Sequence, residues 1–186
     1  MKIVTERLIL RPFRFEDDKD LYEMCKDAET AYNAGWTPHR NIEITRQVIL
    51  GYIYGKETLA ITLKDSKKVI GTISLYQANI RKQINCRELG FCLNKDYRNC
   101  GIMREAVAGM LEYGFKKLKL DLIMVCHHKE NYACEHVIKK FPFIYEGTLR
   151  MYRTLYDGTI IDGVMYSVKR EEYERMKQNE RNETEI

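Results

Sequence analysis

Apolar positions recur along the chain with two periods, and these periods predict strands and helices in alternation. Residues 5–11 alternate between apolar and polar side chains, which is the pattern of a first strand. An acidic cluster at 16–18 then begins a helix, because carboxylates stabilise a first helical turn. Residues 32–41 carry large polar and aromatic side chains without a period and predict an irregular segment. Asn41 is placed to cap a second helix.

The rest of the chain predicts more strands than helices. Strands are predicted at 58–63, 69–76, 87–93, 122–126, 143–150 and 160–169. An apolar stripe from Met103 to Leu118 predicts a long amphipathic helix, and another helix is predicted over 131–140. This order predicts an α/β (α+β) fold, with a mixed central sheet of six or seven strands flanked by helices. Residues 1–170 are expected to form one domain, and residues 171–186 a charged tail that is a short, fraying helix with a disordered end.

Composition excludes several classes of protein. With 186 residues, 45% of them hydrophobic, the chain is long enough for one domain with a sizeable core. No apolar run reaches the roughly 18 residues of a membrane helix, and the N-terminus lacks a signal-peptide core. We therefore expect a cytoplasmic protein without a membrane partner. A net charge of +4 is too mild to indicate nucleic-acid binding, although it would attract a polyanionic cofactor.

Cysteine and histidine usage predicts neither disulfides nor a metal. None of the six cysteines has C-x-x-C spacing, and several lie in apolar strands, so reduced thiols are expected. His127 and His128 are adjacent on an extended segment. Their side chains should point to opposite faces, which makes a poor chelate.

A turn at residues 98–101 predicts an anion site. It joins the apolar strand at 88–93 to the long helix, so unpaired backbone N–H groups and the positive end of the helix dipole converge there. Phosphate is the usual occupant of such a turn. A P-loop needs two glycines followed by Lys and Ser or Thr, and a dinucleotide fold needs three spaced glycines. Neither pattern is present, since Gly101 is the only glycine of the turn.

The turn fits the pattern Arg/Gln-x-x-Gly-x-Gly/Ala through Arg98, Gly101 and Met103. It thereby resembles the pyrophosphate loop of the GNAT superfamily of acetyl-CoA-dependent N-acetyltransferases. The resemblance covers about residues 3–170. The opening at 5–12, the strand at 88–91, the segment at 131–147 and the final hairpin are similar to the subgroup of ribosomal-protein N-terminal acetyltransferases.

This sequence also departs from the family pattern at several positions. Asn99 and Met103 replace residues that are often glycine or alanine, and Pro142 replaces a common glycine. Ile138 stands where many members carry the tyrosine that serves as general acid, and Cys134 occupies a position that is often serine.

The resemblance implies a GNAT fold and the transfer of an acetyl group from acetyl-CoA to a primary amine, by direct attack in a ternary complex. The implied acceptor is either a protein N-terminus or a small-molecule amine, and no metal is implied. The protein is expected to be a monomer or a homodimer. Because the usual tyrosine is missing, a catalytically weak acyl-CoA-binding sensor is the alternative.

The resemblance also implies the residues that contact acetyl-CoA. They lie in the cofactor strand, in the turn and at the start of a later helix: Phe91, Cys92, Leu93, Arg98, Asn99, Cys100, Gly101, Ile102, Met103, Arg104 and Asn131.

Catalytic and acceptor residues are hypotheses with structural alternatives. Glu88 is the candidate general base; otherwise it is a solvated strand-end glutamate, or an ion-pair partner of Arg87, Arg81 or Lys82. Cys134 is the candidate proton donor to the leaving thiolate if its pKa is near an ordinary thiol value of about 8.5; otherwise it is a small core residue. Candidates for the acceptor pocket, where packing is the alternative role, are Tyr32, Trp36, His39, Tyr152 and Asp162.

Overall fold

The structure, a computed structural model, describes residues 1–78 and 80–184. The strands are β1 (Ile3–Val4), β2 (Leu8–Pro12), β3 (Thr58–Leu63), β4 (Val69–Gln77), β5 (Cys86–Leu93), β6 (Leu122–His128), β7 (Ile144–Thr154) and β8 (Ile160–Lys169). The helices are α1 (Asp18–Cys25), α2 (Ala28–Ala34), α3 (Ile42–Gly55), α4 (Ile102–Lys116), α5 (Tyr132–Ile138) and α6 (Arg170–Thr184).

All eight strands form one sheet, in the order β1-β2-β3-β4-β5-β6-β8-β7. Among the described residues, β5 and β6 are the one parallel pair, and every other neighbouring pair is antiparallel. The predicted mixed sheet is confirmed, but it has one strand more than expected. The strand predicted at 5–11 is confirmed from Leu8 onward, as β2. It is wrong over residues 5–7, because the Thr5 N–H donates to the Leu8 carbonyl (3.0 Å) and closes a turn between β1 and β2.

The segment predicted to be irregular at 32–41 begins inside a helix, α2. The Asp27 carboxylate accepts the Thr30 N–H at 2.9 Å and caps that helix, and Gly35, with φ of 80°, ends it. The helix has no long apolar stripe that would have predicted it. The predicted cap of α3 is confirmed, since the Asn41 side chain accepts the Ile44 N–H at 3.1 Å.

Helices cover both faces of the sheet. The predicted stripe of α4 is confirmed, with Ala106 and Met110 fully buried against β-strand residues such as Leu89. On the other face, α1 and α3 pack on a second apolar cluster that includes Met24 and Ile49. The sheet therefore lies between two layers of helices, which is the arrangement expected of an α/β domain.

Helix α6 follows β8 without a break and is longer than the short helix predicted. Its Tyr173 is 2% exposed and stacks on Phe115 of α4, with 5.0 Å between ring centroids. The last two residues of the predicted tail, 185 and 186, lie outside the described residues. Among the described residues no helix is long and apolar enough to cross a membrane.

Candidate functional site

Strands β5 and β6 pair over only three residues and then separate. Residues 86–88 of β5 lie beside residues 122–124 of β6, whereas β4 stays paired with β5 as far as Leu93. Successive residues of a strand turn their amides to opposite edges. Asn94 donates its N–H to Ile70 on the β4 side (2.8 Å), so the amides of Phe91 and Leu93 face the separation. Among the described residues no strand pairs with this edge.

The separation leads to the predicted anion site. The backbone passes through the left-handed region at Asn99 (φ of 61°) and again at Gly101 (φ of 72°), and both residues are exposed. Gly101 is the N-cap of α4, and no side chain of the described residues caps the helix. The first N–H groups of α4, from Ile102 to Arg104, therefore remain available beside the positive end of the helix dipole. The local geometry is that of an anion-binding turn.

Arg7 and Glu105, which lie outside the motif, fix this turn through hydrogen bonds. Arg7 donates from Nη1 to the Cys100 carbonyl (2.9 Å) and from Nε to Glu105 Oε2 (2.7 Å). Glu105 Oε1 accepts from the Arg7 N–H (2.7 Å) and from the Thr5 hydroxyl (2.5 Å). Burial alone would raise the pKa of Glu105, but these hydrogen bonds from Thr5 and Arg7 outweigh it and lower the pKa. No local pattern in the sequence links positions so far apart.

The two arginines of the predicted motif point in different directions. Arg98 donates to the Glu29 carboxylate (2.6 Å) and to the Thr30 hydroxyl (2.9 Å), and so ties the turn to α2. Arg104 is exposed on the first turn of α4. Arg98 is thus placed as a tether of the turn, and Arg104 keeps its charge at the surface of the anion site.

Glu88 lies at the point where β5 and β6 separate, and it is partly buried. Two of its suggested ion-pair partners are used elsewhere: Arg87 binds Glu57 at 2.9 Å, and Arg81 binds Glu146. No ion pair of Glu88 is found in the described part of the chain. Burial raises the pKa of Glu88, and the positive charge of Arg153 offsets part of that rise.

A bulge in β7 brings Tyr152 to the same place. The register with β8 shifts between Leu149 and Arg153, and the Asp162 side chain accepts the Met151 N–H (2.8 Å) within the bulge. The Tyr152 ring lies over Gly163, where an added Cβ would be 2.6 Å from the ring.

The Tyr152 ring and the Cys126 thiol both lie beside Gly163, and burial raises the pKa of that thiol to about 11. Tyr152 therefore faces the neighbourhood of Glu88. Asp162, on β8, accepts a backbone N–H from the β7 bulge that carries Tyr152.

Helix α2 is joined to β6 and α5 through polar contacts. The Asn33 side-chain oxygen accepts from His128 Nε2 (3.1 Å), and the Asn33 backbone carbonyl accepts from the Asn131 side chain (3.1 Å). Asn131 also caps α5 by accepting the Cys134 N–H at 3.0 Å. The Tyr32 ring meets the His128 ring edge-on at 5.7 Å. Tyr32 and Asn131 thus both belong to this group, Tyr32 through the His128 ring and Asn131 through Asn33.

His128 belongs to this group, although the sequence indicated no role for it beyond that of a poor metal chelate. Its ring is 6% exposed and burial lowers its pKa, which favours the neutral imidazole. In the described residues no cluster of three or more side chains is arranged to hold a metal.

Two predicted acceptor residues are not brought to this place. His39 is buried between α1 and α3, where its Nδ1 lies 2.9 Å from the Thr45 hydroxyl. Trp36 packs against the cluster beneath α1 and α3, and its buried Nε1 has no partner in the described part of the chain. Both contacts are those of packing residues.

Cys134 does not have the ordinary thiol pKa that its suggested role assumed. Its side chain packs against the core on the α4 face, and burial raises its pKa. Cys92 is similarly affected, with a pKa raised by burial to about 12. Both thiols hold their protons at neutral pH, and all six cysteines are unpaired.

Comparison with known proteins places this geometry among acetyltransferases. Residues 7–144 match the family described as Acetyltransferase (GNAT) domain. The uncharacterized N-acetyltransferase p20 of Bacillus licheniformis is 30% identical over 177 residues, which is 92% of this chain and 97% of that protein. A solved GNAT-family acetyltransferase from Bacillus anthracis has a TM-score of 0.83 at 26% identity, over 92% of this chain and all of that one.

A ribosomal-protein-S5-alanine acetyltransferase from Vibrio fischeri has the same fold. Its TM-score is 0.73 at 22% identity, over 93% of this chain and 98% of that one.

Proposed function

This chain belongs to the acetyltransferase (GNAT) domain family, and from that premise we propose which residues carry its reaction. It is an acetyl-CoA-dependent N-acetyltransferase. We propose that it moves the acetyl group to a primary amine by direct attack in a ternary complex. The observation that carries the proposal is the open edge of β5, which continues through residues 94–101 into the N-terminus of α4, where no side chain of the described residues forms a cap.

The residues present fit acetyl-CoA, which supplies a reactive thioester on an extended arm that ends in a pyrophosphate. The free amides of Phe91 and Leu93 bind the arm as an added strand would be bound. The Cys92 amide faces β4, so that residue contributes its side chain. The backbone N–H groups from Asn99 to Arg104 hold the pyrophosphate. Asn131 fixes the start of α5 beside the separation.

Glu88 is the proposed general base. It lies at the closed end of the separation, is free of any ion pair among the described residues, and has a pKa raised by burial. A carboxylate with a raised pKa is a stronger base than an exposed one. It accepts a proton from the acceptor amine, directly or through a water.

Cys134 is proposed to act on the leaving sulfur as a hydrogen-bond donor. Because burial raises its pKa, the thiol keeps its proton and presents an S–H group rather than a thiolate. Cys134→Ser keeps a donor at this position, whereas Cys134→Ala removes it. The serine variant should therefore retain more activity than the alanine variant.

The acceptor amine enters between α2 and the β7–β8 hairpin in this proposal. Tyr32 and Tyr152 stand on the two sides, and Asp162 holds the bulge of the hairpin. A protein N-terminus and a small-molecule amine are the two acceptor classes. An enzyme that acts on a ribosomal protein shares the fold, which makes N-terminal peptides the first acceptors to assay.

Glu88→Gln tests the proposal. We expect acetyl transfer to fall by roughly 100-fold or more, because general-base catalysis contributes about that much. Acetyl-CoA affinity should not change. Thiol release against peptides, amino sugars, polyamines and amino acids measures the rate, and calorimetry measures the affinity. Glu171→Gln, an exposed carboxylate on α6, is the matched control.

Each contrary result has a different meaning. An unchanged rate in Glu88→Gln would remove Glu88 from the reaction. Binding of acetyl-CoA without turnover of any amine would favour the sensor function. Absence of acetyl-CoA binding would overturn the site built on Gly101.

A further inference from the structure

Arg153 is held in the acceptor region by two different elements. Its guanidinium carbon lies 5.5 Å from the centre of the Tyr152 ring, within the range of a cation–π contact. Its Nη1 lies 2.7 Å from the position that a Cβ on Gly35 would occupy, so it touches the backbone at the end of α2. The guanidinium therefore bridges the hairpin and α2, on the two sides of the proposed acceptor entry.

The positive charge of Arg153 has no carboxylate partner in the described part of the chain. Three other arginines do have carboxylate partners: Arg81 is paired with Glu146, Arg87 with Glu57, and Arg98 with Glu29. The charge of each of these arginines is balanced by a carboxylate of the protein itself. Arg153 instead presents a guanidinium whose donors can be used by a ligand, and its planar fork matches a carboxylate or a phosphate.

Arg153 and Glu88 face the same region of the site but do not contact each other. Three titratable groups face Arg153 from β5, β6 and β7: Glu88, the Cys126 thiol and the Tyr152 hydroxyl. The positive charge of Arg153 offsets part of the rise in pKa that burial causes at each of them. Glu88 and Arg153 make no ion pair. A site with one separated negative and one separated positive group is complementary to a molecule that carries an ammonium and an anion a few bonds apart.

We propose that Arg153 forms an anion subsite, and that the preferred acceptor is a primary amine with a carboxylate or other anionic group close to the nitrogen. Glu88 takes the ammonium end and Arg153 takes the anionic end. Polycations such as polyamines are poor acceptors, because they place a second positive charge against Arg153. This inference rests on the proposed function of the same site and adds the charge of the acceptor.

Matched acceptors that differ only in the anion test the subsite. Free amino acids are compared with their amides, and Ala-Asp peptides with Ala-Asn peptides, so that a small molecule and an N-terminal peptide are separate arms. Spermidine is the cationic acceptor. The enzyme should prefer the anionic member of at least one pair by roughly 10-fold or more in kcat/KM, chiefly through KM, because a charged hydrogen bond is worth about that ratio.

Variants of Arg153 locate the preference. Arg153→Gln should bring the ratio within the matched pair close to one, and Arg153→Lys should retain part of it. Arg150→Gln, an exposed arginine on the same strand, should leave the ratio unchanged.

The outcomes separate the subsite from other roles. If Arg153→Gln shifts the pH dependence of every acceptor equally and leaves the ratios intact, Arg153 only tunes Glu88 and the subsite is overturned. Turnover of neutral and anionic acceptors at equal rates by the unmodified enzyme overturns the subsite while the proposed function stands. Failure to acetylate any amine overturns both.

Discussion

At the scale of single residues, the ionised form of Glu88 lowers the stability of the fold, yet it is the form that activity requires. Burial raises its pKa above the value of the unfolded chain. The stability that this group contributes is therefore fully present below the unfolded pKa and is lost as pH rises through the folded pKa. The ionised side chain thus costs stability. The same ionised form is the one that can accept a proton, so activity requires the less stable state.

We expect Glu88→Gln to raise the melting temperature at pH 7 while lowering the rate. The acidic limb of the kcat/KM profile should lie above the ordinary glutamate value of 4.5, and it should disappear in the variant. Thermal unfolding at pH 7 and at pH 4 measures the first effect, which should shrink at the lower pH. A variant that is less stable than the parent at pH 7 would show that Glu88 is stabilising in the folded protein.

At the scale of elements, the turn before α4 depends on β2 as much as on its own sequence. Arg7, next to β2, binds the Cys100 carbonyl and the Glu105 carboxylate, and so fixes the turn relative to the helix. We expect Arg7→Gln and Glu105→Gln each to weaken acetyl-CoA binding by roughly 10-fold. Holding a loop in its bound form removes an ordering cost of about that size.

A double variant tests whether the two residues act as a unit. Its loss of affinity should be smaller than the sum of the single losses, because the contact can be broken only once. Calorimetry with acetyl-CoA measures all three variants, and the exposed Arg14→Gln is the control. Additive losses would mean that Arg7 and Glu105 affect the site separately.

Elements with a long period or a strong terminal signal could be predicted from the sequence, whereas short ones could not. The stripe of α4, the Asn41 cap and the Asp157-Gly158 hairpin turn all have local signals, and Gly158 indeed adopts φ of 88°. Helix α2 has seven residues and depends on its Asp27 cap and on contacts with distant elements. Its pattern alone is too short to indicate a helix.

The same limit applies to the candidate site. The turn around Gly101 is contiguous in the chain and was visible as a motif. Arg7, His128 and Arg153 reach the site only because the sheet and the β7 bulge bring them there. Nothing in their local sequence distinguishes them from surface or strand residues.

At the scale of the whole molecule, Tyr173 is the fully buried side chain of α6, with Met176 packed against the same core cluster and Arg170 bonded to the Leu120 carbonyl. Tyr173 is buried against Phe115, and its hydroxyl has no hydrogen-bond partner in the described part of the chain. We propose that α6 belongs to the folded unit and that the ring of Tyr173, rather than its hydroxyl, holds it there.

Two substitutions separate the ring from the hydroxyl. Tyr173→Ala should lower the free energy of unfolding by about 3–5 kcal/mol, the usual cost of removing a buried aromatic side chain. Tyr173→Phe should leave it equal or raise it by about 1 kcal/mol, because a buried hydroxyl without a partner is removed. Urea denaturation measures both, and the two variants losing stability equally would contradict this assignment.

The open edge of β5 also bears on how the enzyme responds to its own product. Backbone amides that grip the arm of acetyl-CoA make the same bonds whether or not the acetyl group is attached, so free coenzyme A should occupy the edge nearly as well. Because this binding energy is the same for substrate and product, it does not help coenzyme A to dissociate after turnover. Free coenzyme A should therefore act as a competitive inhibitor, and the working rate should follow the ratio of acetylated to free coenzyme rather than the concentration of the acetylated form alone.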